Sequence, residues 1–518
     1  MKRRTAEIYE PVLTPWQMRE CEQAAFEQGV SPLLLMEDAA RTICDRLLKL
    51  LKDTDSRRVL IVCGPGNNGG DGAAVGRLLL QAGYETLLLG AGEPATQSAT
   101  IMRAYYEALG GQSLTCITED DLEELEPKLR DFQPDCVVDA LFGTGFREGD
   151  DNFGPSLMTL VNDLSARIVL AVDIPSGING TDGTLALDLL QGSPVCVHAT
   201  HTVTLGHWKA GLFLTSDPSF IGDLTLADIA LPPEAPETDL RLITQEALWQ
   251  LPPRPTDAHK GTAGRVLMYM GSEGMAGAAV MAAKAALRAG AGLVTVACPR
   301  EIIPIVQGMV PNAMCVPAEM LLDHIPAHDV LAAGCGLGKS EESAGYLAEL
   351  LAREKGVAVL DADALNILAQ RELPLPERTV ITPHPGEAAR LLKTSVREIR
   401  MDPLGSVRAL ATRYGAVALL KGHVSLISDG QQVIFQRRGA PALAKGGSGD
   451  ALTGILAALC ADRSDSETDD PSERLMHKTA LASLWLGLAG ERAQREWGDR
   501  SALTGDVIDQ LAGCLRKE

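Results

Sequence analysis

The chain has 518 residues, too many for one hydrophobic core, so we expect two large domains. Its 47 Lys and Arg residues against 68 Asp and Glu residues give a net charge of −21, which argues against nucleic acid or an anionic membrane surface as the main partner. A phosphate ligand must then be bound by local groups, such as backbone amides and helix N-termini.

The cysteines and the apolar runs indicate the compartment. Eleven cysteines are scattered without a CxxC pair, mostly inside apolar runs, which is typical of small buried residues in a reducing environment. The first residues lack an apolar segment of signal-peptide length, and no unbroken apolar stretch of about 18 residues follows. We expect a soluble, cytoplasmic protein that does not enter a membrane.

The first domain, expected over residues 1–230, alternates helical patterns with short apolar runs. Thr14, with Gln17 three residues later, predicts the start of a helix that ends near Gly29, and Ser31 starts the next helix. The apolar runs predicted to form strands are 58–64, 86–90, 136–143, 168–177 and 203–206. Apolar strands joined by helices imply a parallel sheet covered on both faces, here a Rossmann-like three-layer αβα sandwich.

The first predicted strand runs into GPGNNGGDG at 64–72. Its five glycines allow positive φ angles and close approach to a ligand, and a helix expected from about Gly72 would point unpaired N–H groups at the same place. This predicts a phosphate-binding loop, with a generic glycine turn as the alternative. The spacing fits neither the dinucleotide fingerprint nor a P-loop.

Two later strand ends carry oxygen ligands. Asp139 precedes a second glycine loop, and Asp173 and Ser176 follow the next strand. Because ligands of parallel α/β sheets lie beyond the carboxyl ends of the strands, these loops should converge. Oxygen ligands without His or Cys suit a hard cation such as potassium or magnesium, and a carboxylate shielded from water could act as an acid or base. Each Asp could instead cap a helix or form a turn.

The segments GPGNNGGDG, DALFGTG at 139–145 and VDIPSG at 172–177 resemble the YjeF N-terminal domain, the NAD(P)H-hydrate epimerase family, over about residues 10–225. The resemblance implies that Asp173 is the catalytic acid or base. It implies a potassium ion held by Asn68, Asp139 and Ser176. It also implies contacts to the hydrated nicotinamide nucleotide from Asn67, Asn68, Gly69, Gly70, Asp71, Gly143, Thr144, Gly145, Phe146, Arg147 and Asp173.

Six prolines between 232 and 255 predict an interdomain connection near 230–258, because such spacing interrupts helices and central strands. A second α/β domain is expected over 238–518. Its predicted strands are 265–272, 292–299, 329–338, 357–365, 379–386 and 417–422. Residues 424–438 predict a hairpin around Asp429, and the acidic run 462–473 predicts a solvated loop.

The segment GGSGD at 446–450 predicts the chemistry of the second domain. Its glycines would let successive amides face one point, and the following helix adds its positive dipole end, which suits a phosphoryl group in transfer. Asp450 lies beside this point as a base for a hydroxyl proton. The alternative is a glycine-rich helix start without chemistry.

Two further residues support a ligand site. His384 lies between two prolines at a strand end, where we expect it to face the ligand rather than serve as a structural histidine. Lys421 ends an apolar strand and could neutralise a nucleotide phosphate, although it could be an ordinary strand-end lysine.

With HKGTAGRVLMYMGS at 259–272, DADALN at 361–366, TPHPGE at 382–387 and LKGH at 420–423, these motifs resemble the YjeF C-terminal, carbohydrate-kinase-like domain over about 240–515. The resemblance implies a ribokinase-like αβα sandwich with ADP- or ATP-dependent NAD(P)H-hydrate dehydratase activity. It implies nucleotide contacts from Lys421, Gly422, His423, Val424, Ser425, Gly446, Gly447, Ser448 and Gly449. It implies contacts to the hydrated substrate from Ala263, Gly336, His384 and Asp450.

Taken together, the two resemblances imply metabolite repair by a bifunctional NAD(P)H-hydrate repair family. The first domain would interconvert the R and S hydrates of NADH and NADPH, and the second would dehydrate the S form with ADP and magnesium, giving AMP and phosphate. The expected partners are these small molecules, with ADP or ATP, and further copies of the chain in a tetramer or octamer. The alternatives are a small-molecule kinase of the hydroxymethylpyrimidine or hydroxyethylthiazole type, and a first domain that only binds or scaffolds.

Overall fold

The computed structural model describes residues 8–52, 57–144, 153–188, 192–231, 237–323, 325–462 and 470–516. The chain divides into a first unit, residues 11–238, and a second unit, residues 239–518, with which residues 8–10 group. Every helix in the described ranges is too short or too polar to span a lipid bilayer. All eleven cysteines lie in these ranges without disulfides, and all but Cys315 and Cys460 are buried, as predicted.

The strands of the first part of the chain alternate with helices. The strands are β1 (Tyr9–Leu13), β2 (Arg58–Cys63), β3 (Glu85–Ala91), β4 (Gln112–Cys116), β5 (Cys136–Ala140), β6 (Ile168–Val172), β7 (Ala186–Asp188), β8 (Ser193–Val195), β9 (His201–Leu205), β10 (Trp208–Lys209) and β11 (Asp223–Ala227). The helices are α1 (Pro15–Glu27), α2 (Pro32–Leu51), α3 (Asn67–Gln81), α4 (Gln97–Ala108), α5 (Glu119–Phe132), α6 (Gly154–Asp163) and α7 (Gly211–Leu214).

The main sheet of the first unit has the order β11-β9-β6-β5-β2-β3-β4, with every pair parallel. Neighbouring residues of β2 point to opposite faces: Leu60 packs in a core with α5 and α6, and Ile61 packs in a core with α2 and α3. Thr14 caps α1 in a capping box with Gln17, as its spacing predicts. The predicted three-layer αβα sandwich is confirmed.

The second unit repeats this construction. Its strands are β12 (Leu240–Ile243), β13 (Arg265–Tyr269), β14 (Leu293–Cys298), β15 (Met314–Pro317), β16 (Val330–Ala333), β17 (Val357–Leu360), β18 (Thr379–Ile381), β19 (Val417–Leu420), β20 (Ser425–Ser428) and β21 (Val433–Gln436). Its helices are α8 (Glu246–Trp249), α9 (Ala276–Arg288), α10 (Ile303–Met309), α11 (Glu341–Arg353), α12 (Asp363–Gln370), α13 (Pro385–Leu392), α14 (Val396–Met401), α15 (Pro403–Tyr414), α16 (Ser448–Ala461), α17 (Pro471–Ser501) and α18 (Thr504–Cys514).

Within this unit the strand order is β12-β21-β20-β19-β18-β17-β16-β13-β14-β15. The pairs are parallel except β19 with β20 and β20 with β21, so the hairpin predicted around Asp429 is confirmed. Helices α16 and α9 pack so closely that only glycine fits at position 454. A Cβ there would come within 2.1 Å of the carbonyl oxygen of Ala282. The buried centre of α17 includes Trp485, and the helix breaks at Gly498, where φ is +81°.

Two predictions about local structure are wrong. Helix α3 begins at Asn67 rather than near Gly72, and no glycine of 64–72, a fully described stretch, has a positive φ. All of these glycines except Gly66 serve close packing instead; a Cβ at Gly69, for example, would come within 1.8 Å of the carbonyl oxygen of Gly64.

The segment 230–258 is not only a connection, because it supplies β12, which pairs with β21, and α8. Pro252, Pro253 and Pro255 lie outside regular structure, and the apolar alternation at 240–243, before them, forms a strand. The backbone N–H of Thr244 donates to the carbonyl of Ile8 at 3.0 Å, which ties the start of the chain to the second unit rather than the first, contrary to the expected 1–230 boundary.

Candidate active sites

The first unit contains a cavity of about 490 Å³ at the carboxyl ends of its parallel strands. The loops after β2 and β5, represented by Asn68 and Phe142, line it together with Asp173 after β6. Helix α1 contributes Glu22, and Lys209 of β10 lies beside Asp173. The structure therefore brings three sequence-predicted loops to one place, as expected for a parallel α/β sheet.

Asp173 is buried and held by hydrogen bonds. Its Oδ1 accepts from Lys209 Nζ at 2.5 Å, from the backbone N–H of Leu205 at 3.1 Å and from Thr204 Oγ1 at 3.2 Å. Lys209 is fully buried and also donates to the carbonyl of Leu205 at 2.5 Å. The φ of Asp173 is +68°, a left-handed conformation that is uncommon for a residue other than glycine. Such strain is typical of functional positions, where the surrounding structure maintains it.

Two further carboxyl groups line the same cavity. Burial, together with the carboxylates of Asp173 and Glu22, raises the pKa of Asp71 well above its usual value. Burial and the carboxylate of Asp173 likewise raise the pKa of Glu22. The cavity thus places an ion-paired carboxylate near two carboxyl groups whose pKa is raised, an arrangement suited to acid and base roles.

Asp139 and Ser176 form a buried oxygen cluster. Ser176 donates to the Asp139 carboxylate through Oγ at 2.6 Å and through its backbone N–H at 2.8 Å. Burial raises the pKa of Asp139 to about 6. The carbonyl of Phe142 lies 3.3 Å from Ser176 Oγ, and the Asn68 side chain packs where a Cβ on Gly143 would stand. These oxygens fit a hard cation, and the buried Nδ2 of Asn68 has no hydrogen-bond partner among the described residues.

The predicted residues of this site divide into three groups. The cavity is lined by Asn67, Asn68, Asp71, Gly143, Thr144 and Asp173. Gly69 and Gly70 do not line it, because they are packed against the backbone of Gly64 and the side chain of Met36. Gly145, Phe146 and Arg147 lie outside the described residues.

The sequence reasoning missed Lys209 and Glu22. A charged lysine inside the otherwise apolar stretch HWKAGLFL, residues 207–214, was the available signal for the first. Glu22 gave none, since it reads as one more polar residue of a surface helix.

In the second unit, the GGSGD segment forms the start of α16. Gly447 is the N-cap residue with φ +99°, and the N–H groups of Gly449 and Asp450 lie in the first turn, where a helix offers no internal acceptor. The loop before it is anchored by Lys445 Nζ, which donates to the carbonyl of Ala502 at 2.5 Å, and by Thr504 Oγ1, which donates to Gly446 at 2.9 Å. The helix start is therefore held as a fixed array of donors.

Asp450 is half-buried at this helix start. Burial raises the pKa of its carboxyl group, a hydrogen bond from the Cys335 thiol acts in the opposite direction, and the nearby Asp361 carboxylate adds to the rise. A carboxylate with a raised pKa is a stronger base than one in water, as a base for an alcohol requires.

Asp361, at the end of β17, forms a buried ion pair beside Asp450. Its Oδ1 accepts from Lys421 Nζ at 2.7 Å, and its Oδ2 accepts from Thr453 Oγ1 at 3.1 Å. Burial alone would lower the pKa of Lys421, but the carboxylates of Asp361 and Glu387 raise it, so this lysine stays cationic. A Cβ on Gly449 would lie 3.3 Å from Asp361 Oδ2 and 3.6 Å from Lys421 Nζ. Glycine at that position keeps the space in front of the ion pair open.

The sequence reasoning quoted DADALN but did not assign Asp361 a role. Its backbone carries a second signal that only the structure shows. A Cβ on Gly334 would come within 1.9 Å of the Asp361 carbonyl oxygen, and Ala362 has a φ of +50°. The close approach to Gly334 and the left-handed φ of Ala362 position the Asp361 carboxylate at the carboxyl edge of the sheet.

The other residues predicted for the second site have different outcomes. His384 caps α13, since its Nδ1 accepts from the N–H of Gly386 at 2.9 Å, while its side chain remains about half exposed. Burial and the charges of Lys421 and Arg390 lower the pKa of His384, which keeps the ring neutral. Gly336, with φ +61°, follows Cys335 at the same edge as Asp450.

The loop predicted to bind the nucleotide connects β19 to β20. Gly422 and His423 are exposed there, whereas Ser425 is buried in β20. Burial lowers the pKa of His423. Gly446 is exposed at the start of the glycine loop, and the buried Oγ of Ser448 has no partner in the described part of the chain.

The position of Ala263 differs from the predicted one. It precedes β13 at the amino end of the sheet, where the next residue, Gly264, packs against Ala461 in the last turn of α16. Asp450 lies in the first turn of the same helix, about 16 Å away from Ala461 at 1.5 Å per residue. The structure therefore does not bring Ala263 together with Gly336, His384 and Asp450.

No group of three His, Cys, Asp or Glu side chains suited to a metal ion occurs in the ranges described. At the second site Asp450 offers a carboxylate in the first turn of α16. Magnesium at nucleotide sites is usually held by one or two carboxylates, phosphate oxygens and water, so these residues fit an ion that arrives with the nucleotide.

Comparisons with known proteins cover both units. Residues 266–512 match the family described as NAD(P)H-hydrate dehydratase, and residues 33–211 match the YjeF-related protein N-terminus. The chain is 36% identical to the bifunctional NAD(P)H-hydrate repair enzyme Nnr of Moorella thermoacetica, covering 98% of this chain and 96% of that protein. The protein of the same description from Coxiella burnetii is 35% identical, with 96% and 97% covered.

A solved structure matches the second half of the chain. The ADP/ATP-dependent NAD(P)H-hydrate dehydratase from Bacillus subtilis, co-crystallised with ATP and Mg²⁺, is 28% identical. The match covers 52% of this chain and 96% of that one, with a TM-score of 0.48.

Proposed function

This chain belongs to the family of bifunctional NAD(P)H-hydrate repair enzymes, and on that premise we propose that its two sites restore hydrated NADH and NADPH in two steps. The first unit interconverts the R and S hydrates, and the second dehydrates the S form with ADP. One observation supports this most directly: each unit has an Asp beside a Lys–Asp ion pair at the carboxyl edge of its sheet. Asp71 lies near the pair Lys209–Asp173, and Asp450 lies near the pair Lys421–Asp361.

At the second site, Asp450 takes the proton of the C6 hydroxyl of the S hydrate. The hydroxyl oxygen then forms a bond to the terminal phosphorus of ADP, the bond from that phosphorus to the bridging oxygen breaks, and AMP leaves. Loss of phosphate from C6 with the neighbouring C5 proton restores the double bond of the ring. The N–H groups of Gly449 and Asp450 and the ammonium of Lys421 face the charge that moves to the phosphoryl oxygens.

Magnesium would supply further charge neutralisation at the phosphates when bound with the nucleotide, with Asp450 as the protein carboxylate nearest to it. Asp361 acts on Lys421 rather than on the substrate, because both its oxygens are occupied by Lys421 and Thr453. Gly449 leaves the space that the phosphoryl group needs.

At the first site, exchange of the two hydrates requires a bond to C6 to break and re-form on the opposite face. As the C6 hydroxyl gives up its proton and becomes a carbonyl, the bond from C6 to the ring nitrogen breaks and the nitrogen takes a proton, and ring closure on the other face reverses these steps. Asp173 acts as the base or acid, with Lys209 holding its carboxylate in the cavity. Asp71, whose pKa is raised by burial and by the neighbouring carboxylates, supplies the complementary acid. A potassium ion would be held by the oxygens of Asn68, Asp139, Ser176 and the Phe142 carbonyl, where it would attract the phosphates of the substrate.

The test uses Asp450→Asn and Asp173→Asn in the full chain, with mixed hydrate epimers, ADP or ATP, and the absorbance of the reduced ring. Asp450→Asn should abolish dehydration and leave epimer exchange intact, and Asp173→Asn should do the reverse. Undiminished dehydration by Asp450→Asn would refute the assignment. Accumulation of a phosphorylated alcohol without inorganic phosphate would instead identify the chain as a kinase.

A further inference from the structure

A second cavity, of about 190 Å³, lies in the second unit away from the glycine loop at the start of α16. Its lining includes four arginines, Arg438, Arg492, Arg495 and Arg516, with Trp249 beside them. They come from α8, the segment after β21, helix α17 and the end of α18. The tertiary fold, rather than a basic run in the sequence, therefore brings these guanidinium groups together. We call this set the arginine cavity.

Two of the four arginines of this cavity have no carboxylate partner among the described residues. Arg438 pairs with Glu491, and Arg492 Nε donates to Gln510 at 3.4 Å. Arg495 and Arg516 are exposed and have no carboxylate within 4.0 Å in the described part of the chain. Guanidinium groups around one small volume repel each other. A bound anion would reduce this repulsion, so the cavity favours a counter-charge. The concentration is notable in a chain of net charge −21.

A buried thiol shows that the guanidinium groups act on a common point. Burial raises the pKa of Cys514 to about 11 and the Glu491 carboxylate adds to the rise, while Arg492, Arg495 and Arg438 act to lower it. Three of the four arginines therefore lie within electrostatic reach of one sulfur atom at the cavity wall. The indole of Trp249 is fixed there, because its Nε1 donates to the carbonyl of Cys514 at 3.3 Å.

The size and composition of the cavity define the ligand. Sites for drug-sized molecules occupy roughly 300–1,000 Å³, so about 190 Å³ suits a smaller ion. Planar guanidinium groups bind the oxygens of phosphate in pairs, with geometry and charge that a lysine cluster lacks. We propose that the arginine cavity binds a compact, multiply charged phosphate anion, of the size of phosphate or pyrophosphate, at a site separate from both catalytic centres.

The experiment observes Trp249 directly. The full chain is labelled with 5-fluorotryptophan, the ¹⁹F resonance of Trp249 is assigned with Trp249→Phe, and pyrophosphate is titrated at constant ionic strength. Excess ADP is present so that the catalytic nucleotide site stays filled. The same titration is repeated with inorganic phosphate and with chloride.

The double variant R495Q/R516Q removes two cavity charges whose side chains are exposed, so the fold is unaffected. The matched control R397Q/R400Q removes two exposed charges on α14 that do not line the cavity. We expect a saturable shift of the Trp249 resonance with pyrophosphate, an apparent affinity about tenfold weaker or more in R495Q/R516Q, and no change in the control.

Three outcomes would overturn the proposal. One is a Trp249 resonance that stays in place up to about 10 mM pyrophosphate, since binding weaker than that has no use in a cell. Another is equal affinity in R495Q/R516Q and the native chain. The third is an equal shift with chloride, which would mean general screening of charge rather than a site.

Discussion

The ion pair between Lys209 and Asp173 sets the first prediction. Replacing Lys209 by Met removes the positive partner of a buried carboxylate, and breaking such a pair costs about 3–5 kcal/mol. We expect faster hydrogen exchange in peptides of β6 and β9, together with loss of epimer exchange.

The double variant Lys209→Met with Asp173→Asn provides the control. It removes both charges, so it should recover most of the lost protection while remaining inactive as an epimerase. Equal exchange in the single and double variants would mean that the ion pair does not hold the site together.

At this scale the sequence predicted the acids better than their partners. Asp173 follows a strand and Asp450 begins a helix, and both lie in glycine-rich segments that indicate a site. Lys209 and Asp361 approach those acids from distant segments of the chain. A single sequence carries no information on which distant charge faces which. Ala263 illustrates the converse, because a residue inside a recognised motif lies at the opposite edge of the sheet.

Among the elements, α3 depends on glycine for its packing. In Gly72→Ala the new Cβ would come within 2.5 Å of the Ala140 Cβ and 3.0 Å of the Cys63 sulfur. We expect a loss of about 1–3 kcal/mol from overpacking, measured as lower hydrogen-exchange protection of α3 and β2.

The matched control is Gly345→Ala on α11, where a Cβ would meet no atom within 4 Å. Alanine there should stabilise its helix by about 0.5–1 kcal/mol, the usual gain over glycine in a helix. If both substitutions change stability in the same direction, lack of space is not the reason for glycine at position 72.

A second element-scale prediction concerns His328, whose Nε2 lies 2.7 Å from Glu354 at the end of α11. Burial disfavours the charged ring, but the bonds to Glu354 and Pro326 outweigh it and raise the pKa of His328. A raised histidine pKa stabilises the fold fully below the unfolded pKa, about 6.5, and this contribution is lost as pH rises through the folded value.

We therefore expect protection of β16 and β17, corrected for intrinsic exchange, to fall as pH rises above about 6.5. In His328→Gln this pH dependence should disappear. A native chain whose corrected protection does not change over this range would contradict the expectation.

Most strands of both sheets follow from their apolar runs, except β4, β11, β12 and β15, and the hairpin at Asp429 follows from its turn residues. The start of α3 could not be read because the same glycines suit a loop and a tightly packed helix. Strand β12 was missed because prolines on both sides hid a short segment whose strand partner, β21, is far along the chain.

For the whole molecule, two units with their own cores and sites predict that the activities can be separated and then combined. Asp173→Asn protein should dehydrate the S hydrate and leave the R hydrate, and Asp450→Asn protein should dehydrate neither. A mixture of the two should consume both epimers, because the hydrate is small and diffuses freely.

The recovery of ring absorbance measures this result, and the native chain at equal concentration is the reference. If the mixture stops once the S hydrate is consumed, the two activities must act within one chain. That result would contradict independent sites.

The left-handed backbone of Asp173 bears on how the first activity should be silenced in a living cell. Asp and Asn adopt this conformation more readily than Ala, because their short polar side chains can hydrogen-bond to the nearby backbone, so a null allele made with alanine would confound missing chemistry with a damaged protein. Asparagine tolerates the same backbone and keeps the shape of the side chain. Genetic dissection of the two activities therefore needs asparagine here, whereas at Asp450, inside a regular helix, the choice is free.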